Sequence, residues 1–309
     1  MQHQVLAIDI GGTLIKTGLV DAAGTVRHAR QLPTDAQRGA PDMLARLLDH
    51  ARATQRSHAI HGVAVSTLGV IDVVSGTVRG ACEALPGYLG LSPKVVFENA
   101  LGLPVMVEND ANCVAVAEGW RGAAQGVNDF IALTLGTGIG GGLVFHQRLH
   151  RGTHGAAGEW GYMQVEGQRW EDVASLRGLA ELAAGAVQAT GACPGSPADA
   201  RQVFERSDAG EPAYQQVVRH WYRVLAGGMA QLIYAFDPQR IVIGGGITGR
   251  GALFLSELQE QLAHTLHPDF VGLTEWALAA AGNHAGLLGA ARCWFLEHTA
   301  TQQAASGAR

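Results

Sequence analysis

Residues 5–13 read Val-Leu-Ala-Ile-Asp-Ile-Gly-Gly-Thr, a short apolar run that closes on a carboxylate and two glycines. The run predicts a buried strand with Asp9 at its end. Gly11-Gly12 predict a tight turn with exposed backbone N–H groups, the kind of turn that can cradle phosphate. Thr13 to Asp21 and Thr25 to Gln31, with Ala23-Gly24 between them, extend the strand into a three-stranded meander. Pro41 to Arg52 then carries apolar residues at 43, 44, 47 and 48, the spacing of a helix with proline in its first turn, and Ile60 to Val65 returns to a strand. Strand, helix and strand in that order imply a β-α-β crossover. Pro104 to Val107 is a further strand, followed by Glu108-Asn109-Asp110 and an alanine-rich helix over Ala111 to Gly119.

Near residue 120 the pattern begins again. Phe130 to Leu135 predicts a strand, Gly136 to Gly142 a glycine turn, and Leu143 to Phe145 a returning strand. Helices are expected from Glu171 to Ala189, Pro197 to Arg206 and Glu211 to Phe236. The strand Arg240 to Ile243 then runs into Gly244-Gly245-Gly246, and helices follow at about 251–266 and 283–297. The small, polar tail after Glu297 is expected to fray. Three glycine turns at three strand ends suggest one nucleotide gripped from several sides; ordinary hairpin turns are the alternative.

Two familiar motifs do not apply. Gly136, Gly138 and Gly141 match the dinucleotide fingerprint, but a strand follows where that fingerprint needs a helix. GGTLIKT at 11–17 approaches a P-loop, yet Ile15 stands where glycine is required. Lys16 therefore belongs to a strand, either near the phosphates or in solvent.

The chain of 309 residues is 47% hydrophobic and 16% charged, enough apolar material for two domains. Glycine is abundant, at 42 residues, without collagen-like or low-complexity order. A net charge of −5 and the lack of any Lys/Arg run argue against nucleic-acid or membrane partners. Cys82, Cys113, Cys193 and Cys293 have no regular spacing and read as reduced thiols. With no signal-like N-terminus and no long apolar run, a soluble, cytoplasmic protein is expected.

Six strings together resemble the ROK sugar kinases: DIGGT at 9–13, STLGVID at 66–72, ENDAN at 108–112, LGTGIGGG at 135–142, GTHGAAGEWGYM at 152–163 and IGGGI at 243–247. The resemblance spans nearly the whole chain. It implies a two-domain α/β, actin-like ATPase fold (hexokinase-type, ribonuclease H-like) with an ATP and sugar cleft between the domains, in a homodimer. On that basis residues 1–118, completed by a C-terminal helix at about 284–298, form one domain, 119–283 the other, and 299–309 a flexible tail. The family pattern makes Asp110 the catalytic base; the residues alone favour reading it as the N-cap of the helix that follows. Phosphoryl transfer to a hydroxyl needs a carboxylate within hydrogen-bond reach, and an ordinary Asp is ionised at neutral pH. The resemblance also implies a sugar site at Gly69, Asn109, Glu159, Tyr162 and Glu171. Gly11, Gly12, Thr13, Lys16, Thr137 and Gly138 resemble the phosphate contacts, and Gly245 and Gly246 the adenosine side. Asp9 is the candidate for positioning Mg²⁺ with ATP, directly or through water.

The sequence departs from the family around Glu159. Many members carry G-E-x-G-H and then a cysteine segment that binds a structural zinc. Here Tyr162 replaces the histidine and the cysteines are absent, so the segment cannot build a zinc site, although Glu159 and Glu171 remain. The short connection is expected to be held by packing through Trp160 and Trp170. Ala84 stands where many members have asparagine, and with Tyr162 it resembles the zinc-less β-glucoside kinase branch. Glucose or a β-glucoside phosphorylated on its 6-hydroxyl is the expected reaction. An N-acetylhexosamine kinase, a fructokinase, a sugar-sensing regulator without its DNA-binding domain and an actin- or chaperone-like ATPase are the alternatives.

Overall fold

A computed structural model describes residues 3–189 and 199–307. Cys193 and the predicted start of a helix at Pro197 lie outside the described residues. In chain order the elements are β1 (Gln4–Ile10), β2 (Leu14–Asp21), β3 (Val26–Pro33), α1 (Ala40–Ser57), β4 (Val63–Thr67), β5 (Val70–Asp72), β6 (Thr77–Gly80), α2 (Pro93–Leu101), β7 (Val105–Asn109) and α3 (Asp110–Arg121). There follow β8 (Phe130–Leu135), β9 (Ile139–Phe145), β10 (Arg148–His150), β11 (Gln164–Val165), β12 (Gln168–Arg169), α4 (Trp170–Ala174), α5 (Leu176–Ala189), α6 (Ala200–Asp208) and α7 (Pro212–Phe236). The chain ends with β13 (Arg240–Gly244), α8 (Ala252–Thr265), β14 (Glu275–Leu278) and α9 (Ala285–Gly307). None of the described helices is long and apolar enough to cross a membrane.

The chain divides into two compact units. The first holds the residues up to Gly126, Gly142–Ala157 and everything from Ala280; the second holds Val127–Gly141 and Gly158–Ala279. The sequence-based boundaries at 118 and 283 therefore move, and side-chain bonds give the reason. Arg121, near the end of α3, reaches back to the carbonyl of Ala23. Arg151 pairs with Glu108. The buried Glu118 carboxylate accepts the backbone N–H groups of Ala280 and Ala281 at 3.1 and 2.9 Å. The backbone beyond residue 298, expected to fray, is helical through Gly307.

The first unit is built on a five-stranded sheet of order β3-β2-β1-β4-β7, with β1, β4 and β7 parallel. The parallel strands β1, β4 and β7 are apolar on both faces because both are covered, whereas the edge strand β3 is polar and exposed. Leu6, Ile8 and Ile10 of β1 point toward Met43, Leu44 and Leu47 of α1, while Val5 and Ala7 face Leu287, Ala290 and Trp294 of α9. α9 lies close because its contact face is glycine: a methyl group on Gly289 would collide with the carbonyl of Cys113, and one on Gly286 with the Asp9 carboxylate.

The second sheet has the order β10-β9-β8-β13-β14, with β8, β13 and β14 parallel. Two sequence expectations are corrected in this region. The glycine turn is confined to residues 136–138, and Gly140 to Gly142 belong to β9. Their lack of a side chain serves close approach: a Cβ on Gly141 would lie 2.9 Å from the Ala132 carbonyl, and one on Gly142 would lie 2.6 Å from Ala115. The helix expected over 171–189 is two helices, broken at the buried Ser175, whose hydroxyl accepts the backbone N–H of Gly178 and so starts α5.

Candidate active site

In the first unit, the C-terminal ends of β1, β4 and β7 bring the candidate residues Asp9, Asn109 and Asp110 to one sheet edge, where open parallel sheets favour ligand sites. Asp9, Ser66 and Glu108 pair in one row across the three strands, and Ile10, Thr67 and Asn109 form the next. At about 4.8 Å between neighbouring strands, Asp9 and the β7 end stand only about 10 Å apart. Asp9 Oδ1 accepts the Ser66 hydroxyl at 2.7 Å, and Oδ2 lies 3.9 Å from the Lys16 ammonium, which also donates to the Asn283 carbonyl at 3.0 Å. The Asp9 side chain is 18% exposed. Burial raises its pKa, against the opposing pull of Ser66 and Lys16.

Next to Asp9 the chain reverses over Gly11 to Leu14. The Gly11 N–H donates to the Leu14 carbonyl at 3.1 Å, and the buried Thr34 ties the turn down with its hydroxyl on the Gly11 carbonyl and its N–H on the Thr13 carbonyl. Gly12 and Thr13 are left exposed, with Ala84 the side chain nearest to Gly12.

The N-cap of α3 is Asn109. Its Oδ1 accepts the backbone N–H of Asn112 at 3.0 Å and its Nδ2 donates to the Gly69 carbonyl at 3.0 Å. Gly69 has φ +104°, a conformation open to glycine. Asp110 is the first helical residue, half-buried, with Oδ1 accepting its neighbour's N–H from Ala111 at 2.8 Å. The N-cap alternative for Asp110 is thereby corrected. An ionised carboxylate in a first helical turn is also favoured by the helix dipole. Burial pushes the Cys293 thiol up to about 12 and the Cys113 thiol well above its usual range, so both are inert, neutral parts of the core.

The second unit brings two glycine turns together. The Gly136–Gly138 turn follows β8 and is anchored by the Leu176 N–H on the Gly136 carbonyl at 2.9 Å. Gly245, at φ +89°, packs so tightly on the backbone of Leu135 that a methyl group there would clash. Thr137, Gly245 and Gly246 are exposed. The Glu171 carboxylate lies against both Gly138 and Gly161; a Cβ on either glycine would stand 2.8 Å from Glu171 Oε2. Glu159 is half-buried and precedes the short 3-10 helix Trp160–Tyr162.

Tyr162 is 48% exposed, with the Arg169 guanidinium 5.3 Å from its ring centre. Arg169 also pairs with Glu171 at 3.3 Å and Asp172 at 3.0 Å. The stretch between Glu159 and Glu171 is a small hairpin of β11 and β12 held by two tryptophans. Trp170 is fully buried against Gly228, with its N–H on the Val224 carbonyl at 3.3 Å, and Trp160 stacks on Phe236 at 5.9 Å.

Among the described residues no group of three or more His, Cys, Asp or Glu could hold a metal ion. Asp9 is instead a single hard carboxylate beside an exposed turn, with the Lys16 ammonium 3.9 Å from one oxygen. That donor set suits Mg²⁺, which keeps most of its waters and takes one or two carboxylates plus phosphate.

Reading the sequence for motifs missed three residues of this region: Ser66, Arg151 and Arg169. Ser66 lies within the string at 66–72, but its role depends on the pairing of β1 with β4. The two arginines carry no local signal.

Comparison with known proteins follows the same lines. The family model described as "ROK family" matches residues 5–297. The β-glucoside kinase of Klebsiella pneumoniae is 35% identical over 304 residues, covering 93% of this chain and 94% of that protein. Among solved structures, the ROK hexokinase from Thermus thermophilus superposes with a TM-score of 0.81 at 31% identity, over 96% of this chain and 99% of that one. A ROK family glucokinase from Streptomyces griseus, in complex with glucose and AMPPNP, gives a TM-score of 0.78 at 30% identity, over 93% and 98%. The two units, their glycine turns and the carboxylates at the sheet edge thus have the hexokinase-type, actin-like fold, and the chain belongs to the ROK family.

Proposed function

We propose that the protein is an ATP-dependent sugar kinase that transfers the γ-phosphoryl group to the 6-hydroxyl of glucose or a β-glucoside. The observation that carries this reading is the single sheet edge shared by the Asp9 turn and the Asn109-Asp110 helix start. Asp110 accepts the proton of the sugar hydroxyl as its oxygen forms the new bond to phosphorus; the bond from phosphorus to the β-phosphate oxygen breaks, and ADP leaves. Asn109 has its oxygen and one amide hydrogen committed to Asn112 and Gly69, so its remaining N–H is held for a sugar hydroxyl. Gly69, Glu159, Glu171 and Tyr162 serve the sugar. Gly11, Gly12, Thr13, Lys16, Thr137 and Gly138 serve the phosphates, and Gly245 and Gly246 the adenosine. Asp9 holds the Mg²⁺ of Mg-ATP, which when bound neutralises phosphate charge.

The β-glucoside is favoured by the exposed Tyr162, which no zinc loop covers, and by relatives with that name. A homodimer in the cytoplasm completes the reading, after the family resemblance. The test is ADP release with Mg-ATP and a panel of glucose, cellobiose, N-acetylglucosamine, N-acetylmannosamine and fructose. Release is expected with glucose and cellobiose. Sugar-independent turnover, or none with any sugar, overturns the kinase. A site that needs a lost hydroxyl rejects the analogue by about 10⁴-fold or more, so a cellobiose kcat/KM that far below glucose leaves a plain hexokinase.

A further inference from the structure

We propose that Arg151 is a positioning residue for Asp110, acting through the buried carboxylate of Glu108. Glu108 is 1% exposed, at the end of β7, two residues before Asp110. Its Oε1 accepts the backbone N–H of Asn109 and the Nδ2 of Asn112, both at 3.0 Å, so one oxygen grips the residues on either side of Asp110 in the helix start. Its Oε2 takes the Arg151 Nε at 2.5 Å. Asn112 in turn supplies the backbone N–H that Asn109 caps, and its own Oδ1 is buried without a partner, so Glu108 is the bond that holds that side chain.

Arg151 is fixed as well. It opens the loop after β10, closed by the Ala157 N–H on the Arg151 carbonyl at 3.1 Å, and Gly155 lets that loop lie directly on the backbone of Ile71. A carboxylate buried this deeply stays in place only beside a cationic partner, because an unpaired charge is strongly unfavourable away from water. Without Arg151, the Glu108 charge is left buried without its cation, and the side chain turns away from Asn109 and Asn112 toward water. The grip on Asn109 and Asn112 then weakens, and Asp110 drifts from its place.

The proposal rests on the kinase reading of Asp110, and the experiment separates the two. Arg151→Met, Arg151→Lys and the double variant Glu108→Gln/Arg151→Met are compared with wild type by steady-state kinetics and by hydrogen exchange of residues 109–113. A misplacement of about 1 Å costs about 10²-fold, so kcat of Arg151→Met is expected to fall by about 10- to 100-fold with an unchanged KM for ATP and faster exchange at the helix start. Arg151→Lys keeps a cation at the carboxylate and is expected to retain more activity than Arg151→Met. The double variant regains most of the kcat, because Glu108→Gln keeps a carbonyl for Asn109 and Asn112 with no charge to compensate. A kcat of Arg151→Met equal to wild type, or a double variant no better than it, overturns the proposal. If wild type itself phosphorylates no sugar, the kinase reading fails, and unchanged exchange at 109–113 in Arg151→Met then overturns the positioning role independently.

Discussion

The Asn109 Oδ1 accepts the backbone N–H of Asn112 at 3.0 Å, and that bond makes Asn109, not Asp110, the N-cap of α3. Asp110→Asn keeps the size of the side chain and the cap beside it. General bases contribute roughly 10²- to 10⁴-fold, so kcat should fall by about that factor while the melting temperature and the calorimetric affinity for sugar stay close to wild type. Near wild-type kcat in this variant would remove Asp110 from the chemistry.

Asp9→Asn separates activity from stability. Asn can still accept the Ser66 hydroxyl, but it cannot attract a cation, and charged hydrogen bonds are worth roughly 1.5–3 kcal/mol, or about 10- to 100-fold in turnover. The stability effect has the opposite sign. Burial raises the Asp9 pKa, so just above the ordinary value of about 3.9 the native state holds a proton that the unfolded chain has already released. Relative to Asp9→Asn, wild type should therefore lose stability as pH rises from about 3.9 through the folded pKa, and the difference should be constant above it. Denaturant melts of both proteins across that window check the sign; a difference that grows in favour of wild type contradicts it.

Two glycine-to-alanine changes in helices should have opposite effects. Gly289 of α9 has no room for a methyl group against Cys113, and overpacking costs about 1–3 kcal/mol. Gly185 of α5 has nothing within 4 Å, and alanine there should gain about 1 kcal/mol. Equal melting shifts for the two variants would mean that α9 and α3 are not in close contact.

Trp170 fills the space beside Gly228 and holds the short connection that precedes Glu171. Trp170→Ala should cost about 3–5 kcal/mol in thermal or denaturant unfolding. Elemental analysis of wild type should show no stoichiometric zinc, and zinc chelators should leave turnover intact, whereas removal of Mg²⁺ should abolish it. One tightly held zinc per chain would refute this account of the segment.

The strands at 5–10 and 130–135 were legible in the sequence because each is a short apolar run closed by glycines. The carboxylate at 9 was legible from its place at a predicted strand end, whereas Asp110 stood out only through the family resemblance, since the residues alone favoured an N-cap. What the sequence could not reveal was set by partners far along the chain. Gly140 to Gly142 read as a turn because close approach to Ala132 and Ala115 has no local signature. Asn109 and Asp110 are neighbours with similar capping propensity, and the bond to Gly69 that helps fix Asn109 comes from forty residues away. Arg151 and Glu108 are separated by forty-three residues, so their pairing is a property of the folded unit alone.

α9 is synthesised long after β1, yet it covers the face of the sheet to which β1 belongs. On the ribosome the residues up to Gly126 emerge with that face bare, and Ala280 follows only after the intervening chain has been synthesised. At about 5–20 residues per second the wait is on the order of 10–30 s. During it Val5, Ala7, Ala64 and Met106 lie open to whatever surrounds the nascent chain. The first unit is therefore completed only once α9 has emerged.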